Sequence, residues 1–220
     1  MKNSIEDIDI DNLPDPDIER VYNDDFNEMA NSVILKDSLL LKRKQEKIKL
    51  IAALKSEVFE EIIKEKPIPG YYYHIVSNGK FDFFSIVPVF IKHLNNHVDL
   101  FYGSTWASNA KNVLDLMSFF DKKIIKEMTV IGGDYMKMNS RGDYGLLKNG
   151  MEYRKQRFID FKNHCKVLLM CNHSQGDYFT VEGSSNWTSN PRVEQYVLTN
   201  NKEVFDFHKN WIDGLFTKGH

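Results

Sequence analysis

From Tyr71 onward, apolar runs typical of β-strands alternate with helix-like segments, and this alternation most constrains the fold. The first run is Tyr71–Val76, which the turn Ser77-Asn78-Gly79 closes. Further strands are predicted over Val98–Tyr102, Met128–Ile131, Cys165–Cys171, Tyr178–Glu182 and Val193–Thr199. Helices are predicted over Phe83–Leu94, from Asn109 to Asp121 with Ser108 as the cap, and over Glu203–Phe216. Strands separated by helices predict an α/β fold with a mixed β-sheet flanked by helices on both faces.

The segments outside this alternation divide the chain into three parts. Residues 1–25 form an acidic leader that we expect to be disordered, residues 26–69 a helical extension, and residues 70–220 the α/β domain. The clearest helical pattern runs from Arg43 to Lys66, with apolar residues three and four apart, and Pro67-Ile68-Pro69-Gly70 ends it. That helix would dock on the core or pair with a second copy. Residues 134–150 are polar and contain glycine, which predicts an irregular loop.

Composition and charge narrow the class of protein. The chain has 220 residues and is 42% hydrophobic, which is enough to bury one sizeable core. No apolar run approaches the roughly 20 residues that a membrane-spanning helix needs, and the acidic leader has no signal-peptide core. We therefore expect no membrane association and a cytoplasmic location, in a bacterium or a phage-infected host cell. The leader has nine acidic and two basic residues, so residues 26–220 are mildly basic. The leader is either a solvated tail or a shield for an anion-binding surface.

The residues with the most distinctive chemistry lie between His164 and Glu194. An HxK pair, His164 and Lys166, precedes two β-runs, and a GSxN sequence from Gly183 to Asn186 follows them. On a strand, residues two apart share a face, so the imidazole and the ammonium would point at one anion. An imidazole can attack phosphorus, while a lysine, a hydroxyl and an amide can bind the phosphoryl oxygens.

This arrangement resembles the HKD motif of the phospholipase D superfamily. The sequence from Gly183 to Tyr196 resembles that of phospholipase D-like proteins of phages and bacterial mobile elements. The resemblance covers roughly residues 70–216 and implies a phospholipase D-like sheet. It implies His164 as the nucleophile, Lys166, Ser184 and Asn186 as phosphate binders, and Glu194 as the acid that orients the histidine. We also predict substrate contacts from Gly183, Ser104, Trp106 and Arg192.

Each of these residues also has an ordinary structural explanation, and two departures from the superfamily are visible. A strand histidine, a GSxN turn, an edge lysine and a surface glutamate are all common. The superfamily aspartate, five residues after the lysine, is Cys171 here, and Asp177 is the nearest acid. The gap from Lys166 to Gly183 is also longer than the usual spacing of the superfamily. The segment Gly103–Asn109 echoes Gly183–Asn190, but no upstream histidine has a lysine two residues later. We interpret the echo as two similar strand-to-loop turns.

The single HxK motif indicates that each chain holds half of an active site. The superfamily mechanism uses a second histidine as the general acid, so we predict a homodimer with one shared site. A zinc site is disfavoured because strand alternation separates His164 from Cys165 and Cys171. No G-x-S-x-G sequence supports a serine hydrolase. We therefore expect neither a metal nor another cofactor.

Three functions compete on this sequence. The first is a metal-independent phosphodiesterase that acts as a nuclease through a phosphohistidine intermediate. Basic residues on both sides of the motif would meet a nucleic-acid backbone or form a solvated face, namely Arg154, Lys155, Arg157, Lys162 and Arg192. Trp106 and Trp187 would stack on bases or pack in the core. The second is a non-catalytic or weakly active nucleic-acid-binding or assembly protein of a phage or mobile element. The third, lipid hydrolysis, lacks a basic amphipathic helix or lipid anchor.

Overall fold

A mixed β-sheet forms the centre of the computed structural model, which describes residues 47–53, 59–188 and 192–217, the first range by its backbone only. Its strands are β1 (Lys47–Ala53), β2 (Tyr71–Ser77), β3 (Val98–Thr105), β4 (Ile125–Gly133), β5 (Arg157–Phe161), β6 (Val167–Asn172), β7 (Asp177–Gly183) and β8 (Glu194–Asn200). The helices are α1 (Ile86–His93), α2 (Ala110–Asp121), α3 (Asp134–Asn139), α4 (Arg141–Tyr153) and α5 (Lys202–Thr217). Short 3-10 turns occur at Phe59–Glu61 and Phe83–Ser85. The predicted leader, residues 1–25, lies outside the described residues.

The strand order places several loops at one end of the sheet. The order is β1-β2-β8-β7-β6-β3-β4-β5. The pairs β1–β2, β3–β4 and β4–β5 are parallel, whereas β6, β7 and β8 run antiparallel to their neighbours. The carboxyl ends of β2, β3, β4, β5 and β7 therefore meet the amino ends of β6 and β8. We call this end of the sheet the top and the other end the bottom.

Helices cover both faces of the sheet, as the sequence predicted. Residues of α1 to α4 pack on one face, where the core includes Leu168, Met170 and Trp187. The other face packs against α5 and contains Val167 and Leu169. Strand β6 is buried throughout because it lies in the middle of the sheet and contributes side chains to both cores. Each large side chain removed from water contributes roughly 1.5–3 kcal/mol to folding, so these two layers hold the top loops on a rigid base.

The helix predicted from Arg43 to Lys66 is wrong over residues 47–53, which form β1, and over residues 59–66, where only the 3-10 turn Phe59–Glu61 is helical. The backbone of β1 pairs in parallel with all seven residues of β2, from Lys47 opposite Tyr71 to Ala53 opposite Ser77. The sequence from Lys47 to Leu50 also alternates basic and apolar residues, so it fits the two-residue period of a strand as well as the helical period. Sheet pairing decides between them, because strand propensity depends on neighbours that a local pattern does not reveal. Residues 26–46 and 54–58 of the predicted helical extension lie outside the described residues.

The loop predicted over residues 134–150 is also wrong, because this segment forms α3 and most of α4. Three glycines in α4 lower its intrinsic helix propensity, which explains the misinterpretation. Tertiary packing compensates for this. Met136, Leu147 and Met151 are fully buried, and a Cβ atom on Gly150 would approach the Met117 sulfur at 3.0 Å. Glycine at that position therefore lets α4 pack closely against α2.

The cap of α2 lies one residue later than predicted. Asn109, rather than Ser108, precedes the first helical residue, and its side-chain oxygen accepts a hydrogen bond from the Asn112 amide at 2.9 Å. Among the described residues, no helix is long and apolar enough to cross a membrane.

At the bottom of the sheet, Asp99 joins three segments. Its carboxylate accepts hydrogen bonds from Lys126 Nζ at 2.6 Å, the His173 backbone amide at 2.8 Å and His97 Nε2 at 3.1 Å. Burial alone would raise the pKa of Asp99, but these hydrogen bonds and the Lys126 charge outweigh it and lower the pKa to about 2. The ionised carboxylate therefore stabilises the fold at neutral pH.

We expect Asp99→Asn to lower the free energy of unfolding by on the order of 2 kcal/mol at pH 7. A depressed folded-state pKa contributes stability above the unfolded value of 3.8, and this contribution is lost as the pH falls towards about 2. The difference between wild type and variant should therefore shrink over that range in urea titrations. Asp115→Asn, at an exposed ion pair on α2, is the control. A difference independent of pH would refute this role of Asp99.

Candidate phosphodiester site

Most of the predicted site residues converge at the top of the sheet. His164 and Lys166 immediately precede β6, Gly183 ends β7, and Glu194 begins β8. Strand β6 lies between β7 and β3, and β7 pairs with β8, so these residues lie on adjacent strands about 4.8 Å apart. One detail differs from the prediction. His164 and Lys166 lie in the segment before the strand, which leaves the histidine in solvent.

The exposed His164 side chain lies against the buried ammonium of Lys166. Lys166 is only 6% exposed, and its Nζ atom donates to the His164 carbonyl oxygen at 2.8 Å. The same Nζ atom lies 3.1 Å from Nδ1 and 3.3 Å from Nε2 of the imidazole. Burial lowers the pKa of Lys166, while nearby Cys165 and Glu194 act in the opposite direction. The arrangement places an imidazole and a partly desolvated cation within reach of one anion.

Ser184 and Glu194 form the other side of the site. The exposed Ser184 hydroxyl donates a short hydrogen bond to Glu194 Oε2 and accepts one from the Gln195 amide at 3.0 Å. The Gly183 amide donates to the Lys166 carbonyl at 3.1 Å, which ties the GSxN turn to the HxK segment. A Cβ atom on Gly183 would approach the Tyr196 ring at 2.9 Å, so glycine is required for this close approach.

In the structure, the hydrogen-bond partner of Glu194 is not the one that the sequence predicted. We expected Glu194 to orient the imidazole, but its carboxylate receives the Ser184 hydroxyl, and it lies close enough to Lys166 to affect the pKa of that lysine. In the hydrogen bonds of the described residues, the His164 ring contacts Lys166 and not Glu194. The cause is the antiparallel register of β7 and β8, which sets Ser184 beside Gln195.

Asn186 is held by its backbone and leaves a polar atom unused. Its carbonyl oxygen accepts from the Phe83 amide at 2.9 Å, which attaches the GSxN turn to the segment before α1. Its side-chain Oδ1 atom is buried and has no hydrogen-bond partner within the described part of the chain. A buried polar atom without a partner is costly, and such atoms often mark a site that a ligand or water completes.

Ser104 positions the backbone of the HxK segment. It is fully buried, its Oγ donates to the Cys165 carbonyl at 3.0 Å, and it accepts from Asn163 Nδ2 at 2.7 Å. Asn163 Oδ1 in turn accepts from the Cys165 amide at 2.9 Å. The predicted contact of Ser104 with substrate stays a prediction. Asn163 was missed, although an asparagine just before an HxK motif is a common turn former.

The two echoing segments lie side by side. Ser108 and Trp187 form an isolated parallel bridge, and the Trp187 amide donates to the Ala107 carbonyl at 3.0 Å. A Cβ atom on Gly103 would lie 2.4 Å from the Trp187 ring, so the glycine makes room for the indole. Trp187 is fully buried and packs edge-on against Phe84 and Phe101. Of the two interpretations of Trp187, core packing is correct and base stacking is wrong.

The basic residues proposed for a nucleic-acid backbone divide into two groups. Arg154 pairs with Asp121, and Arg157 pairs with Asp213 at 2.7 Å, near the bottom of the sheet. Lys155 adjoins them, and these three are therefore distant from the motif. Lys162 directly follows β5 at the top, and Arg192 lies two residues before β8; both are exposed. Only these two of the five basic residues border the site.

Neither candidate for the missing superfamily aspartate belongs to the site. Asp177 begins β7 at the bottom, about 20 Å from Gly183 at 3.3 Å per residue, and pairs with Lys66 at 2.6 Å. Cys171 lies near the same end of β6, and burial raises its pKa to about 12, so its thiol stays neutral. Within the described residues, no three histidine, cysteine, aspartate or glutamate side chains are grouped to hold a metal ion.

Comparisons with known proteins give low similarities. No protein-family model matches the chain, and no curated protein matches its sequence. Among solved structures, it is similar to polyphosphate kinase from Porphyromonas gingivalis (TM-score 0.49, 14% identity, 73% of this chain and 28% of that one). It is also similar to NucT from Helicobacter pylori (TM-score 0.49, 12% identity, 66% and 96%).

A third similar structure is TrmBL2, described as an archaeal chromatin protein with a novel mode of DNA binding (TM-score 0.41, 7% identity, 92% of this chain and 62% of that one). Of the polyphosphate kinase named above, the chain covers only 28% of the length. All three TM-scores lie below 0.5, so these likenesses carry no argument about function, and the site residues must supply it.

Proposed function

We propose that this chain is a metal-independent phosphodiesterase of the phospholipase D type and acts as a nuclease. The observation that supports this most strongly is the exposed imidazole of His164, which lies against the buried ammonium of Lys166, while the Lys166 carbonyl holds the GSxN turn through the Gly183 amide. A nucleophile, a fixed cation and a hydrogen-bond donor at one solvent-open position suit attack on an anionic phosphodiester.

In the first step, one ring nitrogen of His164 attacks phosphorus. A P–N bond forms, the P–O bond to the leaving group breaks, and the leaving oxygen takes a proton from a general acid. In the second step, water attacks phosphorus, the P–N bond breaks, and the same general acid, now a base, accepts the proton from water. His164 is thereby regenerated. Lys166 stabilises the negative charge that develops on the phosphoryl oxygens, and the side-chain NH2 group of Asn186 is proposed as a second hydrogen-bond donor to them.

The hydrogen bond between Ser184 and Glu194 is proposed to rearrange when phosphate binds. In the resting site the Ser184 hydroxyl is turned towards Glu194. When a phosphate arrives, the hydroxyl can donate to a phosphoryl oxygen instead, and the Glu194 carboxylate remains close to the Lys166 ammonium. A buried lysine with a carboxylate nearby keeps its positive charge more easily than a lone buried lysine would.

The general acid is proposed to be His164 of a second copy. The chain has a single HxK motif, so a twofold dimer that brings the two top ends together would supply both histidines to one phosphate. Analytical ultracentrifugation over a range of concentrations tests this arrangement. We expect a dimer, and specific activity that falls as the dimer dissociates. A monomer with full activity would eliminate the shared site.

Cleavage without divalent metal tests the proposed chemistry. Purified protein is incubated with single- and double-stranded DNA and RNA in excess EDTA, beside a His164→Ala variant. We expect cleavage of at least one substrate by the wild type only. Equal binding of these nucleic acids by both proteins, with no cleavage by either, would reject the enzyme and favour the nucleic-acid-binding or assembly protein.

A further inference from the structure

We infer that Trp106 and Tyr135 form an aromatic shelf that stacks an unpaired nucleobase beside the scissile phosphate, which makes single-stranded nucleic acid the preferred substrate class. The inference deepens the proposed function and depends on it for the position of the phosphate. Three observations support it, which are the stacked pair itself, its contact with His164, and the exposure of Tyr135.

The two rings are stacked next to the nucleophile. The Trp106 and Tyr135 ring centroids are 3.9 Å apart, and their planes differ by 25°. The Trp106 centroid is 5.3 Å from that of the His164 imidazole. The His164 ring is therefore in direct contact with the Trp106 ring of the shelf. In a nucleotide, one sugar separates the phosphate from the base, so a base attached near the scissile phosphate can reach these rings.

The fold holds the shelf rigidly. Trp106 follows β3 directly, and a Cβ atom on Gly133 would lie 2.9 Å from its Cα atom, so the glycine allows the close packing of this segment. Tyr135 lies in α3, which begins immediately after β4 and is anchored by the fully buried Met136. Both rings therefore lie on packed segments that follow the neighbouring strands β3 and β4, which limits the ordering that a ligand must impose on them.

The exposure of Tyr135 distinguishes the shelf from the core. Aromatic pairs such as Phe101 and Trp187 are fully buried, whereas Tyr135 is 37% exposed. A stacked aromatic surface open to solvent binds any base through its π-face, independently of sequence. Bases inside a duplex already stack on their neighbours and cannot offer a free face, which favours a single strand. An acyl chain has no planar face, which disfavours a lipid.

The test compares binding of two oligonucleotides that differ only in their bases. Fluorescein-labelled single-stranded DNA and an equally long oligomer of abasic tetrahydrofuran nucleotides are titrated by fluorescence anisotropy. All proteins carry His164→Ala, which prevents cleavage. We expect Tyr135→Ala to weaken binding of the base-containing strand about five- to tenfold, with no change for the abasic strand. Tyr135→Phe should retain the binding, and Met138→Ala, on the exposed side of the same helix, should have no effect.

Equal weakening for both strands, no weakening for either, or no binding of the base-containing strand would overturn the shelf. These results are separate from the test of the enzyme, because binding is measured in a background that cannot cleave. If the wild type cleaves no nucleic acid in EDTA, the phosphodiesterase proposal fails. The difference in affinity between base-containing and abasic strands still shows whether the shelf stacks a base.

Discussion

His164→Ala is expected to reduce phosphodiester cleavage by at least about a thousandfold, because the substitution removes the attacking atom itself. No neighbouring group can replace it. Lys166 is protonated when it binds phosphate, and the Ser184 hydroxyl is proposed to donate to a phosphoryl oxygen instead of attacking phosphorus. The imidazole is exposed, so its removal should leave the free energy of unfolding within about 0.5 kcal/mol of the wild type. Cleavage rates in EDTA and urea denaturation together check this prediction.

His173→Ala is the matched control for this variant. His173 is also an exposed histidine, but it lies in the turn between β6 and β7 at the bottom of the sheet. Its loss should leave cleavage within about twofold, since a surface substitution far from a site seldom affects the site. A His164→Ala variant that retains more than a tenth of the wild-type cleavage rate would show that His164 is not the nucleophile.

Lys166→Met is expected to lower cleavage by about a hundredfold or more and, at the same time, to stabilise the fold. The loss of activity follows from removing the charge that the developing phosphorane needs. The gain in stability follows from burial. Burial lowers the pKa of Lys166, so the folded protein binds that proton less tightly than the unfolded chain does. At neutral pH the buried ammonium therefore costs stability, which an apolar side chain of similar length does not.

Urea denaturation at pH 7 measures this gain, whose direction follows from the lowered pKa of Lys166. The advantage of the variant should shrink as the pH rises through the lowered pKa of Lys166, because the wild-type lysine then becomes neutral. Lys122→Met, at an exposed lysine in the turn between α2 and β4 at the bottom of the sheet, should change neither property appreciably. A Lys166→Met variant that cleaves normally and unfolds more easily would show that the lysine is structural.

The sequence predicted the central strands well because their patterns reflect their burial. Leu168 and Met170 do pack in one core while Val167 and Leu169 pack in the other, as strand alternation requires. The strand β1 was mistaken for a helix because its short sequence fits both periods, and only its pairing with β2 decides. The glycines of α4 similarly suggested a loop, because their packing against α2 is a tertiary effect.

Within the site, the nucleophile and its lysine were visible as a motif, but their partners were not. That Glu194 receives Ser184 rather than His164 depends on the register of two antiparallel strands, which local sequence does not encode. The role of Asn163 likewise requires Ser104, which is 59 residues away in the chain. Contacts between distant segments thus account for what the sequence alone could not predict.

Trapping the covalent intermediate tests the central claim most directly. Wild-type protein is mixed with a cleavable single-stranded oligonucleotide in EDTA, quenched with alkali within milliseconds to seconds, digested and analysed by mass spectrometry. A phosphoramidate survives alkali and is hydrolysed in acid. We expect an alkali-stable, acid-labile phosphoryl adduct on the peptide that contains His164. Multiple turnovers with no such adduct, or an adduct on a different residue, would contradict it.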